Sequence, residues 1–225
     1  MTKLILEGGT DVAEMALFCS DSISNKQPDN EIISKLEKDN ALIRLSTGAD
    51  GGYLLHLYVD DEIEDTAFDY CCKDDLIKGR FKTQEGNISF GGLESVTSSF
   101  EPNKNIRSDG CINKGVYDYF AYRTEYPDDL IEDEVINIIG KEGYRYLNKV
   151  GIVIWLNVIV FIFLITLTFS KSIFFALPAI LVAVWAKTWL KKYTTSSKYL
   201  MLENQKLEIE RKYPSIIIKL ESIQL

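Results

Sequence analysis

The stretch SIIIKLESIQL, Ser215 to Leu225, follows Pro214 and places apolar side chains at Ile216, Ile217, Ile218, Leu220 and Ile223. Successive residues of a strand point to opposite faces, so this segment reads as a strand that is apolar on both. Such a strand cannot remain bare in water. It predicts a return to the first half of the chain, where the segment closes a sheet. Pairing with a second copy, giving a homo-oligomer, is equally allowed by the sequence. Upstream of it, SSKYLMLENQKLEIERKY reads as a helix ended by Pro214.

The first half supplies the sheet to return to. LILE, MALFCS, ALIRLS, GYLLHLYV, LIKGRFKT, NISFGG and VYDYFAYRTEY read as short strands, and Gly8-Gly9, Gly48, Gly51-Gly52, Gly86, Gly91-Gly92 and Asp109-Gly110 supply turn chemistry. One helix interrupts them, NEIISKLEKDN, which Asp29 can cap and which carries Ile32, Ile33 and Leu36 on one face. The expected fold class is mainly β, with residues 1–127 forming an acidic antiparallel β-sandwich or open barrel with one or two helices. A connector helix is expected over residues 128–149, where Pro127 and the acids of PDDLIEDEV suit a helix N-terminus.

Two apolar runs separate this domain from the final helix and strand, which together make up residues 191–225. Residues 150–169, VGIVIWLNVIVFIFLITLTF, hold no charge, and residues 173–190, IFFALPAILVAVWAKTWL, hold one, Lys187. At 1.5 Å rise per residue the first reaches about 30 Å, so residues 150–190 are expected to form a transmembrane helical hairpin. Lys141, Arg145 and Lys149 before it, and Lys187, Lys191, Lys192 and Lys198 around its end, predict a multi-pass protein of a bacterial inner membrane with both termini cytoplasmic. The lipid bilayer is then one partner, and Asn157 offers a hydrogen bond between helices. MTKLILEGGTDVAEM contains no apolar core of signal-peptide length, so export of the front half is not expected.

Charge is uneven. Residues 1–145 carry 15 basic against 29 acidic residues, and residues 146–225 carry 10 against 4. The acidic front half repels phosphate backbones, which argues against nucleic acid and for a basic or polar protein partner. The densest acidic stretch holds Asp60, Asp61, Glu62, Glu64 and Asp65. It reads as a solvated loop, a divalent-cation site or a surface for a basic partner; no Gly falls between Gly52 and Gly79 to make the sharp turn of a calcium loop, so no metal or other cofactor is assigned. A second candidate surface lies in IRSDGCINKGVYDYFAYRTEYPDD, where Arg123 and Glu125 share a strand face and could pair with Asp109 and Arg107. The bland reading there is a lock within the fold.

Catalytic signatures are missing. His56 is the one imidazole, so no Ser-His-Asp, Cys-His or multi-histidine metal set can be built. GGTD and GGLE lack the spacing of a phosphate loop, and Cys19, Cys71, Cys72 and Cys111 lack paired CxxC spacing. The reading is therefore not an enzyme.

The segments ADGGYLLHLYVDD, GRFKTQEGNISFGGLE and RSDGCINKGVYDYFAYRTEYPDD, taken together, resemble bacterial immunity proteins of interbacterial toxins, including those of type VI secretion effectors. The resemblance is one of pattern over Thr2 to Asp129 and brings no catalytic motif. It implies a protein that neutralises a cognate toxin by protein–protein binding, with Asp60, Asp61, Glu62, Glu64, Asp65, Arg107, Asp109, Arg123 and Glu125 as the candidate partner-binding residues. The membrane hairpin departs from the usual one-domain immunity protein. The alternative is a membrane-tethered scaffold or sensory module that binds a cytosolic ligand or protein, and it predicts a concave, ligand-sized pocket in the β domain.

Overall fold

A computed structural model describes residues 2–23, 29–96, 106–169, 187–188, 191 and 194–223. The described chain divides into two compact units, one made of residues 1–126 and 213–225 and the other of residues 127–212. Helix and final strand of the tail thus belong to different units.

Among the described residues the first unit holds nine strands: β1 (Thr2–Thr10), β2 (Glu14–Cys19), β3 (Leu42–Ser46), β4 (Gly51–Val59), β5 (Ile77–Thr83), β6 (Asn87–Gly92), β7 (Arg107–Cys111), β8 (Gly115–Arg123) and β9 (Ile216–Ser222). They form a five-stranded sheet in the order β1-β4-β9-β8-β5 and a four-stranded sheet in the order β3-β2-β6-β7. β9 is the opening stretch of the sequence. It lies antiparallel to β8, with Ala121 opposite Ile218, and parallel to β4, with Leu57 opposite Ile218. The strand therefore pairs within the chain. The sheet is mixed, and the expected antiparallel arrangement is corrected at this one pairing. A parallel neighbour needs a long crossover, and everything between β4 and β9 supplies it.

Why β9 is apolar on both faces is now visible. Ile216, Ile218 and Leu220 join Leu55, Leu57, Phe81, Tyr117 and Ala121 in the core between the two sheets, which Met15, Leu17, Ile43, Ile88 and Phe90 fill from the other side. Ile217 points the other way, into a small second cluster with Tyr58, Ala67 and Cys71. Helix α1 (Asp29–Lys38) seals one flank of the main core with Ile32 and Leu36. It ends where Asn40 turns left-handed at φ 55° and the Ala41 N–H reaches back to the Leu36 carbonyl, the usual way to satisfy a helix's last acceptors.

The two sheets meet along both edges. The Gly9 N–H donates to the Ile106 carbonyl at 3.1 Å beside β7, and the Lys82 N–H donates to the Asn40 carbonyl at 2.7 Å beside β3. At the first edge Gly8 approaches Gly91 so closely that a Cβ on Gly8 would lie 3.0 Å from the Gly91 Cα, which explains glycine on both strands. Four expected turns prove to be strand: Gly8-Gly9 lies inside β1, Gly51-Gly52 opens β4, Gly91-Gly92 ends β6, and Asp109-Gly110 lies inside β7, paired with Ser89 and Ile88 of β6. The bond from the Ser89 hydroxyl to Asp109 holds a residue that ordinarily favours turns in an extended ladder.

In the second unit, α3 (Asp128–Phe169) kinks at Gly140, where φ is 75°. It packs on α4 (Ser197–Glu210), whose Leu202 lies over Gly143. The Ser196 side chain caps α4 by accepting from the Tyr199 N–H at 3.2 Å, and Lys212 pairs with Glu134 at 2.7 Å.

Here the sequence expectation is corrected. Among the described residues no helix is long and apolar enough to cross a membrane. The run 150–169 is not a separate span: it continues the connector helix, whose first residues carry Asp128, Asp129, Glu132, Asp133 and Glu134. Most of the second run, residues 173–190, lies outside the described residues, as does the side chain of Asn157. The transmembrane hairpin and the multi-pass inner-membrane location fall with that finding.

Ile218 is fully buried, so Ile218→Ala is expected to lower unfolding free energy by about 2–5 kcal/mol in denaturant titrations. A loss below about 1 kcal/mol would show that β9 is not seated in the core.

Candidate protein-binding face

Immediately after β4 the chain turns at Asp60, in the left-handed region at φ 50°, and runs as a strap across the outer face of the five-stranded sheet. The strap includes the single turn α2 (Asp65–Phe68) and a 3-10 turn at Lys73–Asp75. Its underside is apolar: Ile63, Ala67 and Cys71 lie against Tyr58, Ile217 and Tyr122. Those three residues are spaced by four, the spacing of one helix face, and sequence reading overlooked it because the surrounding acids dominate.

The acidic residues are mostly anchors. Asp60 is tied at both ends, its N–H donating to the Leu220 carbonyl at 2.9 Å and its carboxylate accepting from the Ser222 N–H at 2.7 Å. Glu62 pairs with Lys219 at 2.9 Å, and Glu64 with Lys3 at 2.7 Å. Asp61 accepts from the Glu62 N–H at 3.0 Å. Asp65 opens α2, and its side chain lies outside the described residues. The strap's charge is thus partly spent on holding it down.

Lys219 is the centre of this anchoring. It sits between Glu62 and Glu221, each at 2.9 Å, and the Glu62 hydrogen bond, working against burial, raises its pKa above the ordinary 10.5. At Lys3 burial acts downward, yet the Glu64 hydrogen bond and the charges of Tyr58 and Glu64 leave its pKa raised. The Lys3 ammonium also lies 5.3 Å from the Tyr58 ring centre.

Arg107 and Asp109 pair with each other at 3.0 Å on β7 of the four-stranded sheet. Arg107 is buried over the Phe18 ring, and Asp109 accepts from Ser89 at 2.6 Å. Arg123, on β8 of the other sheet, pairs instead with Asp75 at 2.9 Å and with Glu125 at 3.8 Å. The expected four-residue cluster is therefore two separate locks. A residue's sheet cannot be read from strand periodicity alone, which is why the two pairs looked joinable.

His56 is 1 % exposed, on the outer face of β4, edge-to-face with Tyr58. Burial pushes the Cys71 thiol up to about 11, which makes it a poor nucleophile. Among the described residues no group of three His, Cys, Asp or Glu is placed to hold a metal ion.

What remains exposed on this face is distinct from the anchors. Asp69 and Asp74 are exposed, without an ion pair among the described residues, and Asp61 is half-buried beside them in sequence. Phe68 is exposed and meets Tyr122 edge-on at 5.9 Å. Next to them runs a groove of about 410 Å³ with Phe68, Phe120 and Tyr122 as its aromatic walls and Lys219 between Glu62 and Glu221. A second cleft, of about 420 Å³, opens between β3 and the start of β5.

Comparison with known proteins adds little to this geometry. The chain matches no protein-family model and no curated protein. Among solved structures it is similar to one described as "Crocagin biosynthetic gene J", at 15 % identity and a TM-score of 0.38, over 54 % of this chain and 75 % of that one. A likeness at that level carries no argument about fold or function.

The sign of the lysine shift sets a pH dependence. Because the folded pKa of Lys219 is raised, its stabilisation is present below its unfolded value and is lost as pH rises through the folded value, above 10.5. Lys219→Met should therefore destabilise the protein at neutral pH, with the gap to the unsubstituted chain in thermal unfolding shrinking above pH 10.5. A gap that stays constant into that range would remove Lys219 as the strap's ionic anchor.

Proposed function

We propose that this protein acts by binding another protein, in the manner of an immunity protein that occludes a toxin, and that the outer face of the five-stranded sheet is the contact surface. The observation that carries this reading is the strap. Its anchoring acids are engaged from below, while Asp69 and Asp74, and in part the half-buried Asp61, remain toward solvent beside exposed Phe68 and an aromatic groove. An aromatic anchor inside a charged rim is the anatomy of a protein-binding patch. The net charge of the front half favours a basic partner and steers its approach. A buried imidazole and a buried, high-pKa thiol fit a binding role better than a catalytic one.

The charges to reverse are those that do not hold the strap. A variant with Asp61→Lys, Asp69→Lys and Asp74→Lys leaves Asp60, Glu62 and Glu64 in place. The tagged full chain, used as bait in an extract of the cells that make it, is expected to recover one stoichiometric basic protein, and the triple variant to lose it. Rim charges act chiefly on association rate, so raising the salt should mimic the variant. Equal recovery by both baits would move the contact away from this face, and recovery of no protein would overturn the reading.

A further inference from the structure

β5 and β3 are the outermost strands of their sheets on the same side of the first unit, and they face each other across a seam. At one end the seam is shut by the bond from the Lys82 N–H to the Asn40 carbonyl. Backbone groups of a strand alternate in direction, so Arg80 and Lys78 turn theirs toward the seam as Lys82 does. On β3, the bonds from Cys19 to Ala41 and from Thr47 to Ala13 assign alternate residues to β2, which leaves Leu42, Arg44 and Ser46 facing the seam. Among the described residues neither strand has a further strand neighbour there.

The core opens along this seam. Phe81 and Ile77 both point inward from β5, yet Phe81 is fully buried while Ile77 is 38 % exposed. Leu76 beside it is equally exposed. The gap is the 420 Å³ cleft, with Leu45, Leu76, Ile77 and Ile216 on its walls beside the strap's Asp74 and Asp75. Outside it, Lys78 and Lys82 have no ion pair among the described residues, and Arg80 has only Asp118 at 3.8 Å.

We propose that the seam accepts an extended segment of the partner protein as an added strand. Its backbone pairs with the open edge of β5, and its side chains alternate, one set apolar and seated in the cleft, the other acidic and set against Lys78, Arg80 and Lys82. The alternation follows from strand geometry and the acidity from those three cations. Edge strands are commonly protected by lysine, and the same lysines select for carboxylates when an edge is used. This inference rests on the reading of the protein as a protein binder and assigns the edge of β5, a surface that meets the strap only where Asp74 and Asp75 line the cleft.

The test is a displayed random-peptide library panned on the full chain, with the selected peptide then synthesised and titrated. Peptides that alternate apolar and acidic residues are expected. Arg80→Pro removes an outward N–H without removing a β5–β8 bond, and should weaken binding by about tenfold or more while circular dichroism and the unfolding midpoint show the chain still folded. Lys78→Glu with Lys82→Glu should weaken it likewise, which guards against a misfolded proline variant. Selection without that pattern, no selection, or binding indifferent to Arg80→Pro and to the lysine reversal would each overturn the proposal. Binding lost in an Asp61→Lys, Asp69→Lys variant alone, which spares the cleft-lining Asp74, would sink the seam and keep the strap face; the converse would keep the seam and sink the strap face. A dimer of the full chain that Arg80→Pro dissolves would make a second copy the occupant and overturn the peptide.

Discussion

Both faces of the five-stranded sheet depend on the seating of β9 between β4 and β8. Without it, β1-β4 and β8-β5 are two separate strand pairs, and isolated pairs are at best marginally stable in water. With it, Leu57, Ile218 and Ala121 lie across one continuous ladder. The inner face of that ladder is the main core and its outer face carries Ile217, Tyr58 and Tyr122 under the strap. Lys219, on the same strand, then supplies the ionic anchor for Glu62.

This strand arrives from far along the chain. β8 and β9 are spatial neighbours, and residues 127–212 are an insertion in the connection between them. Loop closure grows only slowly with length, by about 0.6 kcal/mol per doubling, so an insertion of that size is tolerable if its ends are fixed. They are fixed well. Tyr126, where the chain leaves, packs edge-on against Tyr213, where it returns, with ring centres 5.1 Å apart, and the ring of Tyr70 of the strap lies tilted against Tyr126 at 4.8 Å. The Thr124 hydroxyl donates to the Pro214 carbonyl and the Thr124 N–H to Ser215.

The acidic stretch teaches how charge and structure divide a segment between them. A run of carboxylates looks like a solvated loop because ionised side chains seek water. Yet the cations that meet Glu62 and Glu64 come from β9 and β1, distant in sequence, and the apolar residues beneath are small or sparse enough to escape notice. Surface pairs contribute little individually, about 0–1 kcal/mol, so the strap is held as much by Ile63, Ala67 and Cys71 as by its charges. The acids that stay exposed without an ion pair among the described residues are therefore Asp69 and Asp74, outside the densest run and on the same strap as Phe68.

The sequence by itself determined what local periodicity controls. Strand segments, the α1 face of Ile32 and Leu36, the start of α3 at Asp128 and a two-faced final strand all follow from side-chain spacing and capping chemistry. It also determined that His56 has no imidazole companion. It misled where composition stood in for context. An apolar run of spanning length was read as a membrane helix, whereas it continues a helix that begins with acids, and Asp109-Gly110 was read as a turn although Ser89 and Arg107 hold it in a strand. Tertiary structure alone decided which sheet each strand joins, that β9 lies parallel to β4, that Arg107 and Arg123 never meet, and that the seam between β3 and β5 opens at Ile77. The physical reason is the same in each case: pairing partners are chosen by contacts between residues far apart in the chain, and a local pattern records which face is buried without recording against what.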